Sequence, residues 1–180
     1  MSRRSEAPVR SERAGGASSR LWRVLPALVA VTWVGLLLVT PSWRTEGRSG
    51  RAAVAALVDL GAARVCHRQA SRSFHWHGQP LPVCGRCTGL YVSSAVGLIA
   101  AAVAGARRRR ASGAGTPGWP IDRRTGWIVL AAGPTMLTWT LEVAGLWDPG
   151  TWLRAIAALP LGATVGWIVG TALARSRPPA

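Results

Sequence analysis

Lysine is absent from this chain of 180 residues and acidic side chains number only seven, so the formal charge of +15 rests on arginine alone. A charge of that size invites a nucleic-acid reading, which needs a basic patch on a folded surface. Here the arginines stand instead at the ends of apolar runs: Arg20 and Arg23, Arg107 to Arg110, Arg123 and Arg124, Arg175 and Arg177. That placement is what membrane topology produces, and it leaves no nucleic acid to account for. Ionisable residues are scarce within the runs, which together with the small number of runs argues against a small-molecule or ion permease. Cysteine and histidine are scarce as well, three of each. Four-helix membrane oxidoreductases that feed electrons to a quinone commonly use two cysteine pairs, and three cysteines do not make two pairs.

What the chain does have is apolar length. Blocks at about 24–40, 88–106, 126–146 and 155–174 each approach the roughly 17 to 25 residues that cross a bilayer core. The expected fold is all-α, a four-helix transmembrane bundle with an additional short interfacial helix in the first extracytoplasmic loop. Residues 1–20, rich in Arg, Ser, Gly and Glu without apolar periodicity, read as a disordered basic cytoplasmic tail, and residues 21–177 as one polytopic membrane domain. The first block is long for a signal-peptide core and Pro41-Ser42-Trp43-Arg44 is not a small-residue cleavage site, so it reads as a retained span with Pro26 in its first turn.

Arginine clusters on the cytoplasmic side put both termini inside, in a multi-pass protein of the cytoplasmic membrane. Trp22, Trp43, Trp127, Trp147 and Trp152 fall where interfacial anchors belong. The lipid bilayer is the one partner that follows; a protein partner is unknown from the sequence. Within the first outer loop, Ala52 to Val65 is helical in pattern, with Val54, Leu57, Val58 and Val65 on one face and Asp59 on the other. About 14 residues are too few to span, which suits a helix lying at the interface.

Two stripes of small residues recur every four positions: Gly89, Ser93, Gly97, Ala101 and Gly105 in the second block, and Ala158, Gly162, Gly166, Gly170 and Ala174 in the fourth. Such stripes let helix backbones approach closely in lipid, where packing holds helices together. Blocks two and four are expected to pack stripe to stripe. Around the turn Asp148-Pro149-Gly150, Glu142 and Arg154 are equidistant from the hairpin midpoint and form a candidate ion pair. Gly133-Pro134 marks an expected kink.

All three cysteines and all three histidines lie in residues 66–87. Cys66-His67 and Cys84-Gly85-Arg86-Cys87 make a four-ligand set of Cys66, His67, Cys84 and Cys87, with His75 or His77 as substitutes for His67. Soft sulfur with imidazole nitrogen favours zinc in a tetrahedral site. The alternative is a thiol-disulfide oxidoreductase in which Cys84 and Cys87 form a labile disulfide and Cys66 resolves it. A third reading has the thiols merely shaping the loop. Arg86 and a helix amino terminus expected near Cys87 or Thr88 favour thiolate in each case. Arg72 and Arg86 have three candidate partners, Glu142, Asp59 and lipid phosphate. No catalytic residue is assignable beyond the redox candidates Cys84, Cys87 and Cys66.

The run Cys66-His67, Arg72-Ser73-Phe74, Gly78, Pro82-Val83-Cys84, Arg86-Cys87-Thr88-Gly89 and Tyr91 resembles the signature of a family of small predicted bacterial integral membrane proteins of unknown function. Pro120-Ile121-Asp122, Glu142, Arg154 and Gly162 resemble its sparser later motif. One departure is Arg68, which stands between His67 and Gln69 where the family often has Gln directly after Cys-His. The resemblance implies a membrane location and a functional Cys/His loop, and it supplies no reaction.

Overall fold

The computed structural model describes residues 11–45, 49–111 and 121–174. Five helices hold most of them: α1 (Ser11–Thr45), α2 (Ser49–Ala63), α3 (Gly85–Ala111), α4 (Ile121–Val143) and α5 (Gly150–Leu173). Between α2 and α3 a 3₁₀ turn (Ala70–Arg72) leads into an antiparallel hairpin of β1 (Ser73–Trp76) and β2 (Gln79–Cys84). The described chain is therefore mostly helical, with five helices as expected of a bundle of four and one short extra helix, but the all-α expectation is corrected by the small two-stranded sheet.

Three of the helices are long and apolar enough to cross a membrane, over Val24–Thr45, Gly85–Arg107 and Gly150–Leu173. α4, expected to be the third of four spans, matches them in length at 23 residues but is diluted by Gly133-Pro134, Thr135, Thr138, Thr140 and Glu142. Those polar groups have partners inside the protein. Thr135 and Thr138 are buried, and the Thr135 hydroxyl donates to the Ala157 carbonyl of α5 at 2.8 Å. Hydroxyls that bond across helices are a recognised means of helix association in lipid.

Two expectations about α1 are also corrected. The helix begins at Ser11, so 11–20 continues it, because Ala, Arg and Glu are good helix formers and extension needs no new nucleus. Residues 1–10 of the tail lie outside the described residues, as do the 112–120 loop and the Arg175 and Arg177 cluster. Pro26 is accordingly interior, and the helix passes Pro41 to end at Thr45. Thr40, beside Pro41, turns its hydroxyl back onto the Leu36 carbonyl at 2.6 Å.

The α3–α5 pair is the centre of the fold, and it packs as the stripes predict. A Cβ on Gly89 would lie 2.2 Å from the Ala155 carbonyl oxygen, one on Gly97 2.3 Å from that of Ala163, and one on Gly166 2.2 Å from that of Ser94. The paired positions increase together along both helices, so α3 and α5 run parallel. Ser94 adds a cross-helix hydrogen bond to the Gly162 carbonyl at 3.1 Å. Gly105, the last residue of the α3 stripe, has open space around it.

α2 doubles back along α1, with Gly61 3.3 Å from the Trp33 ring by its would-be Cβ. The face it buries is Ala55, Val58 and Ala62, whereas Val54, Leu57 and Val65 are exposed. Small residues permit the close approach to α1, and Val54, Leu57 and Val65 face outward. Arg44 at the end of α1 fastens this layer. Its Nε and Nη2 grip the Asp59 carboxylate of α2, the former at 3.0 Å, and its Nη1 donates to the Pro80 carbonyl of β2 at 2.8 Å. Arg68 reaches the same carboxylate at 2.9 Å.

The hairpin turns at His77 and Gly78, with φ of 50° and 76°. Two successive positive φ values between paired Trp76 and Gln79 make a type I′ turn, whose twist matches that of the strands. At the other end of α4, Gly145 at φ 68° closes the helix. Leu146 N–H donates to Leu141 and Gly145 N–H to Glu142, the bonding of a Schellman motif.

Candidate functional site

The hairpin returns Cys84 toward the end of α2, where Cys66 waits, and hands the chain directly to α3. Cys66 leaves α2 with its N–H bonded to the Ala62 carbonyl at 2.9 Å and is buried in a cluster with Leu37, Val58, Ala62 and Val83. Trp33, Leu36, Tyr91 and the half-buried Cys84 and Cys87 pack against that cluster. The Trp33 and Tyr91 rings meet edge to face at 6.3 Å. Cys84 is the last residue of β2 and Cys87 the third of α3.

The three sulfur atoms all lie within 4.8 Å of one another, and all three thiols are free. The Cys84 N–H donates to Cys66 Sγ at 3.3 Å. Hydrogen bonding from the Cys87 thiol holds Cys84 down to about 5, against burial, which pushes it up; the Cys87 and Arg86 backbone N–H groups and the Cys66 thiol add to the lowering. This is the chemistry of an anion at a helix amino terminus, where unpaired N–H groups point at the residue before the first turn. Thiolate is the form that binds metal and attacks disulfides.

The histidines are elsewhere. His67, His75 and His77 are exposed, and among the described residues the thiol group contains no histidine. His75 pairs with Pro80 in the hairpin, and His77 occupies its turn, with its ring edge-on to Trp76 at 5.5 Å.

The supporting charges come together on one carboxylate. Glu142 of α4 meets Arg154 of α5 at 3.1 Å, Arg72 at 2.7 Å and Arg86 at 3.2 Å. Arg154 is 2% exposed and also reaches Asp148 at 2.8 Å. Asp148 is held below the usual carboxylate range by the Gly150 N–H, with Arg154 and Arg72 contributing. Of the two side-chain partners expected for Arg72 and Arg86, Glu142 and Asp59, the fold selects Glu142. Since Arg86 lies between Cys84 and Cys87, the ion-pair cluster and the thiols are joined at the passage from β2 into α3. Sequence reasoning missed the Arg44–Asp59–Arg68 latch and Ser73, which is buried and bonded to the Gln69 carbonyl at 3.0 Å. The Ser-Phe-His-Trp alternation was the one local sign of the strand that carries it.

Residues 66–168 match the sequence model of a family described as predicted membrane protein (DUF2085). The chain belongs to that family. The DUF2085 match begins at Cys66 and takes in the hairpin, α3, α4 and most of α5, and α1 and α2 precede it. An uncharacterized protein of Methanothermobacter thermautotrophicus is 47% identical over 30 residues, 17% of this chain and 27% of the relative. The match thus covers about a quarter of that relative's length, and no solved structure matches the chain.

Proposed function

We propose that this DUF2085 protein is a polytopic protein of the cytoplasmic membrane that holds a zinc ion on Cys66, Cys84 and Cys87 at its extracytoplasmic end. The observation that carries the proposal is the convergence of three free thiols within 4.8 Å. Zinc–sulfur bonds of about 2.3 Å set sulfur atoms of a tetrahedral site roughly 3.8 Å apart, so the spacing fits after small side-chain adjustments. Low thiol pKa at Cys84 supports the same reading, because a ligand already deprotonated costs less to metallate. His67, His75 and His77 are exposed and stand outside the thiol group among the described residues, so an external molecule takes the fourth position in this proposal. A site with three protein ligands and one open position is the form that catalytic zinc takes.

The membrane arrangement supports the proposed side. α3 and α5 run parallel, so the chain must return between them, which argues for α4 as a fourth span despite its polar residues. Arg107 at the end of α3, and Arg123 and Arg124 at the start of α4, then lie at the opposite end from the thiols, and the positive-inside rule assigns that opposite end to the cytoplasm.

The test is metal content of the protein purified in mild detergent without chelator, read with its free-thiol count. The proposal expects near-stoichiometric zinc that disappears in Cys84→Ser. Absence of metal in freshly purified protein with all thiols free would overturn it.

A second reading is favoured by the Cys84 thiolate with Cys87 donating to it. In a thiol-disulfide exchange Cys84 attacks a partner's disulfide, and Cys87 displaces the second thiol, leaving a Cys84–Cys87 disulfide and a reduced partner. A reducible Cys84–Cys87 bond in metal-free protein would select this reading.

A further inference from the structure

Glu142 is surrounded by more cationic donors than it can take. Arg154 donates through Nε to Oε2 at 3.2 Å and through Nη2 to Oε1 at 3.1 Å. Arg72 Nη1 lies 2.7 Å from Oε1, and Arg86 Nη2 3.2 Å from Oε2. Each oxygen therefore has two donors, which fills the acceptor capacity of a carboxylate. Asp148 adds a second carboxylate, but its side chain is 75% exposed and its contact within the cluster is with Arg154. Three guanidinium groups thus face two carboxylates, and the buried one is saturated.

Arg86 shows the consequence. Its Nε is buried without a hydrogen-bond partner, on a side chain only 18% exposed. A bare donor on a buried cation is costly, and an acceptor brought to it is favoured correspondingly. The cluster opens outward at Arg72, whose side chain is 44% exposed, and beside it Phe74 stacks edge to face on Trp152 at 4.8 Å. Guanidinium forks beside the half-buried Phe74 and the exposed Trp152, at the end of a membrane bundle, match the needs of an anionic group carried at the interface.

We infer that Arg72, Arg86 and Arg154 form a binding site for an oxyanion of the phosphate class, entered from the Arg72 side and using the guanidinium donors that Glu142 leaves unsatisfied. The anion bridges Arg72 and Arg86 and shifts the Arg86 side chain enough to engage Nε. Because Arg86 lies between Cys84 and Cys87, the bound anion sits next to the thiol cluster. The inference does not depend on whether those thiols hold a metal.

Two sources offer this chemistry, a soluble phosphate compound and an anionic lipid headgroup, and two arms separate them. In the first, inorganic phosphate is titrated against full-length protein in nonionic detergent at constant ionic strength, and the melting temperature is read. In the second, native mass spectrometry compares retention of phosphatidylglycerol and phosphatidylcholine from mixed vesicles. The site is supported by a saturable rise in melting temperature, which assigns a soluble anion, or by selective retention of phosphatidylglycerol, which assigns a lipid. In Arg72→Gln the affinity falls about tenfold in whichever arm is positive, as loss of a charged fork implies. Should that variant not fold, Arg72→Lys keeps one charge without the fork and binds more weakly than wild type. The inference is overturned if neither ligand binds, or if the folded Arg72 variant binds as wild type does.

Discussion

Glu142 at the end of α4 and Arg154 at the start of α5 face each other across a short turn and share two hydrogen bonds, at 3.1 and 3.2 Å. Arg154 is almost wholly buried, so this pair is far from the weak, solvent-screened kind found on surfaces. Arg72 and Arg86 reach the same carboxylate from the segment that carries the cysteines. The pair therefore ties the α4–α5 hairpin to the thiol loop.

Glu142→Gln is expected to be strongly destabilising, by about 3–5 kcal/mol, because it leaves a buried guanidinium without its counter-charge. Asp148→Asn removes a contact from the same arginine at an exposed, solvent-screened carboxylate and should cost far less. Denaturation in detergent checks the ranking, and equal effects would show that Glu142 is not the centre of the cluster.

Helix packing gives a second expectation. Gly97→Leu and Gly166→Leu place carbon where carbonyl oxygens already lie, and each should lower the melting temperature, by the equivalent of about 1–3 kcal/mol or more. Gly105→Leu, which meets open space, should leave it nearly unchanged. Thermal unfolding of the three purified variants provides the comparison, and an unaltered midpoint in the first two would contradict the close α3–α5 contact.

These two features were readable in the sequence for different reasons. The stripes repeat every four residues, which is a helix's own period, and the Glu142–Arg154 pair follows from symmetry about a Pro-Gly turn. The hairpin was hidden because His77-Gly78 is an uncommon form of a type I′ turn and because Pro80 and Pro82 weaken the strand signal. The face that α2 buries was not legible, because packing favoured its alanines over its larger apolar side chains. The cysteines were legible as a group, since their scarcity and shared loop set them apart. The distance of the histidines from them was not, because adjacency of Cys66 and His67 in sequence does not fix the direction of either side chain.

Thiol reactivity should depend on pH in a defined direction. The neighbours of Cys84 stabilise its thiolate, so in metal-free protein its alkylation by iodoacetamide should persist at neutral pH and fall as pH drops through about 5. Peptide mapping across a pH series measures this site by site. A Cys84 rate that instead rises only in the alkaline range of an ordinary thiol would remove the electrostatic account of the site.

The proposed side of the membrane can be read at the hairpin tip. His77 is exposed, so in His77→Cys the new thiol should react with a membrane-impermeant maleimide added to intact cells. Labelling only after the cells are opened would reverse the assigned orientation.

X-ray absorption at the zinc edge of protein purified without chelator tests the thiol centre most directly. The account predicts about three sulfur neighbours at about 2.3 Å, with the sulfur shell reduced or the metal lost in Cys66→Ser. A first shell of oxygen and nitrogen alone, or a preparation that holds no zinc, would contradict it.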